Sequence, residues 1–282
     1  MKICRFTFKA DPAAKPRLGL LEEGGVRDVT AVTDELPSLR WPLQPGDQVI
    51  AALPALRPRM ESMASNAPLV AREQVNLLSP VANPGKFICG VANWAHHKTP
   101  PGTLGSLFKM TSAMAGEGDG VQLRWLDRTT VYEAELAWVI GRECTNVTEA
   151  EALDYVAGFT CGLDMTLKEE KEFFTFCKSF DTYGVLGPAL VTTDEVGDPS
   201  ELGFEFFLNG ELKEAWSFRD LAATPAQLVA FASTVMTLHP GDVIFSGTPN
   251  VGPVVPGDVM TIDIPRIGRM DVPVTESPHA RR

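Results

Sequence analysis

Apolar and polar residues alternate along Lys2–Lys9, and again along Arg17–Leu21 before the polar stretch Glu22–Gly25 and a further run, Val26–Val29. A period of two turns one face inward, so the spacing predicts a strand followed by a hairpin. Pro54–Pro68 is punctuated by prolines and leaves room for one short helix. Pro80–Gly85 holds two prolines and a glycine, which continue neither regular element, so it is expected to be a linker. Beyond it, Lys86–Val91 reads as a short apolar strand and Val156–Leu163 as a core strand. Phe204–Leu208 and Glu211–Trp216 flank Asn209-Gly210, the strongest short hairpin signal. Pro-Gly-Asp occurs at Pro45, Pro240 and Pro256, as type II turns allow. Thr148–Glu151 and Thr224–Gln227 fit the capping box, with Pro225 at the favoured first helical position. In that second helix Leu228, Phe231, Val235 and Leu238 are expected to face the core, and the tail Glu276–Arg282 to fray. Strands outnumber helices, so the chain reads as β-dominated α+β.

Composition narrows the partners more than the fold. The 282 residues carry 36 Asp plus Glu against 25 Lys plus Arg, a formal net charge of -11, which argues against broad nucleic-acid or anionic-membrane surfaces. With 44% hydrophobic residues the chain has enough apolar side chains for a proper core, while no apolar run approaches the ~20 residues of a membrane span. The opening MKICRFTFKADP lacks the apolar region of a signal peptide. Five scattered cysteines without a CxxC pair read as reduced, buried thiols, so the protein is expected in the cytoplasm. Length suggests about two units: residues 1–80 as a small N-terminal module and 86–275 as the larger part, with a tail at 276–282.

The candidate chemistry centres on Val131–Ile140. In a strand Glu133 and Glu135 share one face, with Cα atoms about 6.5 Å apart, while Tyr132, Ala134, Leu136 and Trp138 take the other. Two like charges in an apolar strand need a remedy, either a bound cation or plain solvent exposure. Asp164 closes an apolar run and reads either as a third acid of that set or as a loop-entry aspartate. The three together form an all-oxygen group suited to Mg²⁺, Mn²⁺ or Ca²⁺. His96 and His97 follow a strand on a small-residue loop, as a general base or as surface histidines. Lys178 lies between apolar neighbours, and Ser246–Pro249 reads as a turn able to present backbone N–H groups to an anion. GxGxxG after a strand, GxxxxGK[ST] and GxSxG are all absent, which removes the usual support for dinucleotide, P-loop and α/β-hydrolase readings.

In order along the chain, KFICGVANWAHH (86–97), Phe108-Lys109, YEAEL (132–136), GFTCGLD (158–164), KSFDTYGVLGP (178–188), LHPGDVIFSGTP (238–249) and Pro256–Met260 resemble the fumarylacetoacetate hydrolase family. The resemblance implies a mixed β-sandwich roll with a small N-terminal α/β module, assembled as a homodimer. It also implies Mg²⁺ or Mn²⁺ on Glu133, Glu135 and Asp164. His97, by the spacing Asn–aromatic–x–x–His, and Lys178 would serve catalysis, with Lys109, Lys171 and Thr248 at the substrate. The implied substrate is a small anionic 2-oxo acid, cleaved by C–C hydrolysis as in aromatic catabolism. Isomerisation or decarboxylation of a 2-hydroxy-diene or 2-oxo diacid on the same site is the alternative. Two departures stand out. Pro100 occupies the position of the lid glutamate, for which Glu117 or Glu22 could substitute only if the fold brings one close, and Lys171 replaces a substrate-contacting glutamine.

Overall fold

The computed structural model describes residues 1–97, 106–168 and 174–282. The N-terminal part contains β1 (Lys2–Phe8), the hairpin β2 (Arg17–Glu22) and β3 (Gly25–Asp28), α1 (Gln48–Asn66), β4 (Leu69–Ala71) and β5 (Val75–Leu78). There follow β6 (Phe87–Gly90), β7 (Ser106–Phe108), β8 (Met114–Gly116), β9 (Val121–Trp125), β10 (Thr130–Tyr132), β11 (Ala134–Ile140), α2 (Glu149–Ala152), β12 (Val156–Asp164) and β13 (Thr166–Leu167). The last third holds α3 (Phe174–Cys177), β14 (Gly184–Thr192), α4 (Thr193–Val196), β15 (Gly203–Leu208), β16 (Glu211–Ser217), α5 (Pro225–Val235), β17 (Val243–Phe245), β18 (Gly252–Val254), β19 (Val259–Ile264) and β20 (Gly268–Arg281).

Among the described residues twelve strands make one sheet, ordered β4-β3-β2-β1-β14-β12-β11-β17-β6-β7, with β5 on β1 and β8 on β14. The strands of the N-terminal part therefore continue the central sheet through the pairing Lys2↔Val191. A five-stranded sheet, β16-β15-β19-β20-β9, and a three-stranded one, β13-β10-β18, complete the fold. All seven residues of β11 are buried, and their alternation serves two cores. Leu136, Trp138 and Ile140 join Phe204, Phe206 and Ile262 of the five-stranded sheet, whereas Ala137 and Val139 join Ile50 and Met60 of α1. This strand-dominated sandwich is the architecture expected from the sequence.

Three local expectations are corrected. The short helix of the proline-punctuated segment is a 19-residue helix that contains Pro54 and Pro58. Asp47 caps it by accepting hydrogen bonds from the Val49 and Ile50 amides, and Ile50, Leu53, Leu56, Met60 and Ala64 bury one face against the sheet. Packing of that face outweighs the two missing amide donors. In α5 Leu228 is buried but Phe231 and Val235 are exposed, because the covered face runs through Leu228, Val229, Ala232 and Ser233. The tail pairs as part of β20, with Arg281 opposite Trp125 and its guanidinium 3.7 Å from that ring's centroid.

Other signals hold. Asn209 and Gly210 both have positive φ, as the tight hairpin between β15 and β16 demands. Gly46, Gly241 and Gly257 have φ of 99°, 88° and 102°, the third-position geometry of type II turns. Two of these turns abut, since the Asp47 amide donates to the Pro240 carbonyl at 2.8 Å. Asp47 also accepts from the Ala82 amide at 2.8 Å, and Val81 is fully buried, so the connector after β5 is pinned to the body. Both capping boxes form, and all five cysteines are free and buried. No described helix is long and apolar enough to cross a membrane.

Candidate active site

Three backbone devices gather the acids. Glu133 sits between β10 and β11, where the chain passes from the small sheet to the large one. Its carbonyl accepts the Asp164 amide at 2.9 Å, which fixes the end of β12 beside it. Glu135 lies opposite Gly162 in the β11–β12 register, where a side chain would collide with the Phe245 ring. Ligand atoms of Glu133, Glu135 and Asp164 thus all lie within 4.8 Å of one another. Glu135 and Asp164 are fully buried, and Glu133 keeps 13% of its side chain exposed, so the cluster meets solvent at Glu133.

Two ammonium groups answer the three carboxylates. Lys178 Nζ donates to Asp164 at 2.7 Å, Glu133 at 3.0 Å and the Thr166 hydroxyl at 2.8 Å. Lys109 Nζ lies 2.7 Å from Asp164 Oδ1 and donates to the carbonyls of Met165, Tyr183 and Lys178. Burial acts to raise the Asp164 pKa, but Lys109 and Lys178 outweigh it and hold this carboxyl below the usual range. Glu135 goes the other way. Burial first, then the charges of Asp164 and Glu133, push it well above a normal glutamate, against Lys178 and the Gly247 amide. Lys178 is itself held above the ordinary lysine range, since Asp164 and Glu133 overcome the opposing effect of its burial.

The donor set fits a hard divalent cation. Glu135 Oε2 accepts the Gly247 amide at 2.6 Å, while its buried Oε1 has no partner. A fully buried carboxylate oxygen without a donor is costly, and one negative charge remains in excess after the two lysines. A cation bound by all three acids removes both costs with oxygen ligands alone.

The histidine loop is tied to the same turn that caps Glu135. Asn93 Nδ2 donates to the Ser246 and Ala223 carbonyls, and Trp94 Nε1 donates to the Gly247 carbonyl at 2.8 Å. The expected Ser246–Pro249 turn does hold an anion through a backbone amide, and that anion is the Glu135 carboxylate. His96 and His97 follow in an exposed 3-10 turn, their ring centroids 4.1 Å apart. Thr248 lies beside Gly247, its hydroxyl donating to the Asn250 carbonyl.

Lys109, expected at the substrate, instead has 0% of its side chain exposed and spends its ammonium on Asp164 and three carbonyls, beneath the cluster. Lys171 and Pro100 lie outside the described residues. Glu117 pairs with Arg72 at 2.6 Å and Glu22 with Arg27 at 3.0 Å, so both acids considered for the lid role are engaged elsewhere. Sequence reasoning missed Thr166, which donates to Glu133 at 2.6 Å. Its signal was present, since it stands two residues after Asp164. The Gly247 amide carried no side-chain signal at all.

Comparisons with known proteins show the family. The family described as fumarylacetoacetate (FAA) hydrolase, C-terminal, matches residues 71–275. The maleylpyruvate hydrolase of Aquipseudomonas alcaligenes is 42% identical over 97% of this chain and 99% of its own. A mitochondrial oxaloacetate tautomerase of Xenopus laevis is 33% identical over 95% of this chain and 88% of its own. The crystal structure of maleylpyruvate hydrolase from Sphingobium sp. SYK-6, in complex with manganese(II) ion and pyruvate, matches at a TM-score of 0.84 and 34% identity. That match covers 98% of this chain and 100% of the other. With a buried three-acid centre on a shared scaffold and similarity along nearly its whole length, the chain belongs to the fumarylacetoacetate hydrolase family.

Proposed function

We propose that the protein is a divalent-metal-dependent hydrolase that cleaves a C–C bond in an acylpyruvate, a 1,3-dicarbonyl 2-oxo acid of the maleylpyruvate or fumarylpyruvate type. The observation that carries this reading is the unpartnered, buried Glu135 Oε1 inside a three-carboxylate cluster. Glu133, Glu135 and Asp164 would hold Mg²⁺ or Mn²⁺, which would supply Lewis acidity toward the anionic 2-oxo acid. Lys178, 10% exposed, offsets the charge of the anionic substrate and bridges Glu133 and Asp164, screening their mutual repulsion. His97 takes a proton from water, whose oxygen bonds to the distal carbonyl carbon. The bond from that carbon to the methylene then breaks, the electron pair leaves with the methylene, and the proton returns to it. The products are a carboxylic acid and pyruvate. Thr248 and Lys171 are assigned to the substrate, and Lys109 to holding Asp164 ionised.

The test is pyruvate release from an acylpyruvate by purified protein with Mn²⁺, before and after exhaustive chelation. Full activity in the metal-free protein sinks the proposal. A second reading, isomerisation or decarboxylation on the same centre, is favoured by Pro100 and by the engagement of Glu117 and Glu22 elsewhere. Product analysis by NMR separates them, since a tautomer or CO₂ without pyruvate selects the second.

The same reading takes residues 1–80 as a module that covers the 86–275 catalytic unit, supported by the core shared between α1 and β11. Residues 276–282 then extend the catalytic unit's last strand rather than forming a separate tail. It takes the protein as a cytoplasmic homodimer, supported by free buried thiols and by Met110 and Phe176, 55% and 81% exposed beside Lys109 and near Lys178. Light scattering in solution checks the dimer.

A further inference from the structure

Two aromatic contacts on the histidine turn have no part in the reaction above. The His96 ring stacks on Trp216 with centroids 5.2 Å apart and planes 23° apart, and the His97 ring lies 4.1 Å from that of His96. His96 Nε2 is 3.1 Å from the Pro249 carbonyl oxygen. A carbonyl only accepts, so Nε2 carries the hydrogen and the ring plane is fixed. Trp216 is itself held in β16, opposite Phe204, and meets Trp94 edge-on at 5.7 Å. Trp94 is fully buried and donates to the Gly247 carbonyl, whose own amide donates to Glu135. Contacts therefore run without a gap from a carboxylate of the metal centre to His97.

We propose that Trp216 and His96 are positioning residues whose stack sets the orientation of the His97 imidazole. The inference rests on the assignment of His97 as the proton acceptor. An imidazole on an exposed turn has several staggered rotamers, and ring-on-ring contact selects among them. Proton transfer from water requires the acceptor nitrogen within hydrogen-bond reach, so a turn that swings freely is seldom competent. Nothing in the linear pattern of Trp216 announces this role, since it lies in a different sheet from the acids.

The experiment uses the full chain with Mn²⁺ and follows pyruvate release from an acylpyruvate, Mn²⁺ affinity by calorimetry and thermal unfolding. Trp216→Leu and His96→Ala are expected to lower kcat by about 10- to 100-fold, the scale of a misplaced reacting group. Their KM and Mn²⁺ affinity stay within about twofold of the parent if the stack acts only through His97. Trp216→Phe and His96→Phe, which keep a ring in place, restore most of the rate. His97→Asn is expected to abolish turnover while still binding Mn²⁺. Unchanged kcat in Trp216→Leu and His96→Ala beside an inactive His97→Asn overturns the positioning role and leaves the His97 assignment standing. An active His97→Asn overturns both. Loss of Mn²⁺ affinity together with rate, or no rescue by phenylalanine, overturns the proposal in favour of a scaffold role. Should Trp216→Leu not fold, the His96 pair alone decides.

Discussion

Asp164 and Glu214 are both buried acids, and their surroundings drive them in opposite directions. Asp164 stands in the three-acid cluster, where Lys109 and Lys178 outweigh its burial and keep it ionised. Glu214 stands on the aromatic side, in β16 two residues before Trp216, facing the Trp216 and Tyr132 side chains. Burial raises it to about 7, opposed only by the neighbouring Trp216 and Tyr132 side chains. One region is organised by charge and strand register, the other by ring contacts with little charge. The lesson is a division of labour. The acids of the cluster are locked by ion pairs and backbone hydrogen bonds, whereas the His96–His97 turn is held by ring contacts.

The contrast can be broken most sharply at Glu135. Glu135→Gln keeps the shape but removes the negative charge of the innermost carboxylate, so acylpyruvate turnover is expected to fall on the order of 10³-fold or more. A coupled pyruvate assay reads this, and turnover within tenfold of the parent would remove Glu135 from the metal set. Next, Lys109→Met takes away the ammonium beneath Asp164. A buried pair broken on one side loses about 3–5 kcal/mol, so the urea midpoint is expected to drop substantially even without metal. An unchanged midpoint would mean that Lys178 alone compensates Asp164.

Smaller effects sharpen the same picture. Mn²⁺ at about one hundred times its dissociation constant should add about 2.7 kcal/mol of stability, reversed by chelator and missing from Glu135→Gln. The smallest effect is on the aromatic side. Glu214 binds its proton more tightly folded than unfolded, so its contribution is favourable below pH about 4.5 and is lost as pH rises to about 7. Glu214→Gln is therefore expected to match the parent near pH 4.5 and to melt roughly 2 °C or more higher near pH 8. Equal melting temperatures at both pH values would show that the Glu214 carboxyl is solvated.

What could be read in advance followed from local rules. Alternation placed Glu133 and Glu135 on one face, although the strand in fact breaks at Glu133, and Asp164 ends an apolar run, so the three acids could be named from their neighbours. The Asn209-Gly210 hairpin, the three Pro-Gly-Asp turns and both capping boxes were legible for the same reason, since each is decided within four residues. The rest depends on contacts between distant segments. Pro54 and Pro58 hid the length of α1, because the stabilising partner of its buried face is the central sheet. Phe231 and Val235 have the hydrophobicity of core residues but point away, since the direction of α5 is chosen by what covers Leu228 and Val229. Lys109 was recognisable as part of the site, yet its place beneath Asp164 depends on three carbonyls brought from other segments.

Glu133 belongs to neither of the sheets that meet at it: β10 before it pairs with β13 and β18, and β11 after it pairs with β12 and β17. The placement of Glu133 against Glu135 therefore depends on the angle at which the chain passes from one sheet into the other. A cation gripping both carboxylates resists any change in that angle, and by reciprocity anything that bends one sheet against the other must alter how tightly the cation is held. Crowding or loosening the β10–β18 edge, where Gly252 leaves room for the Tyr132 ring, becomes a way to tune metal affinity without touching a ligand.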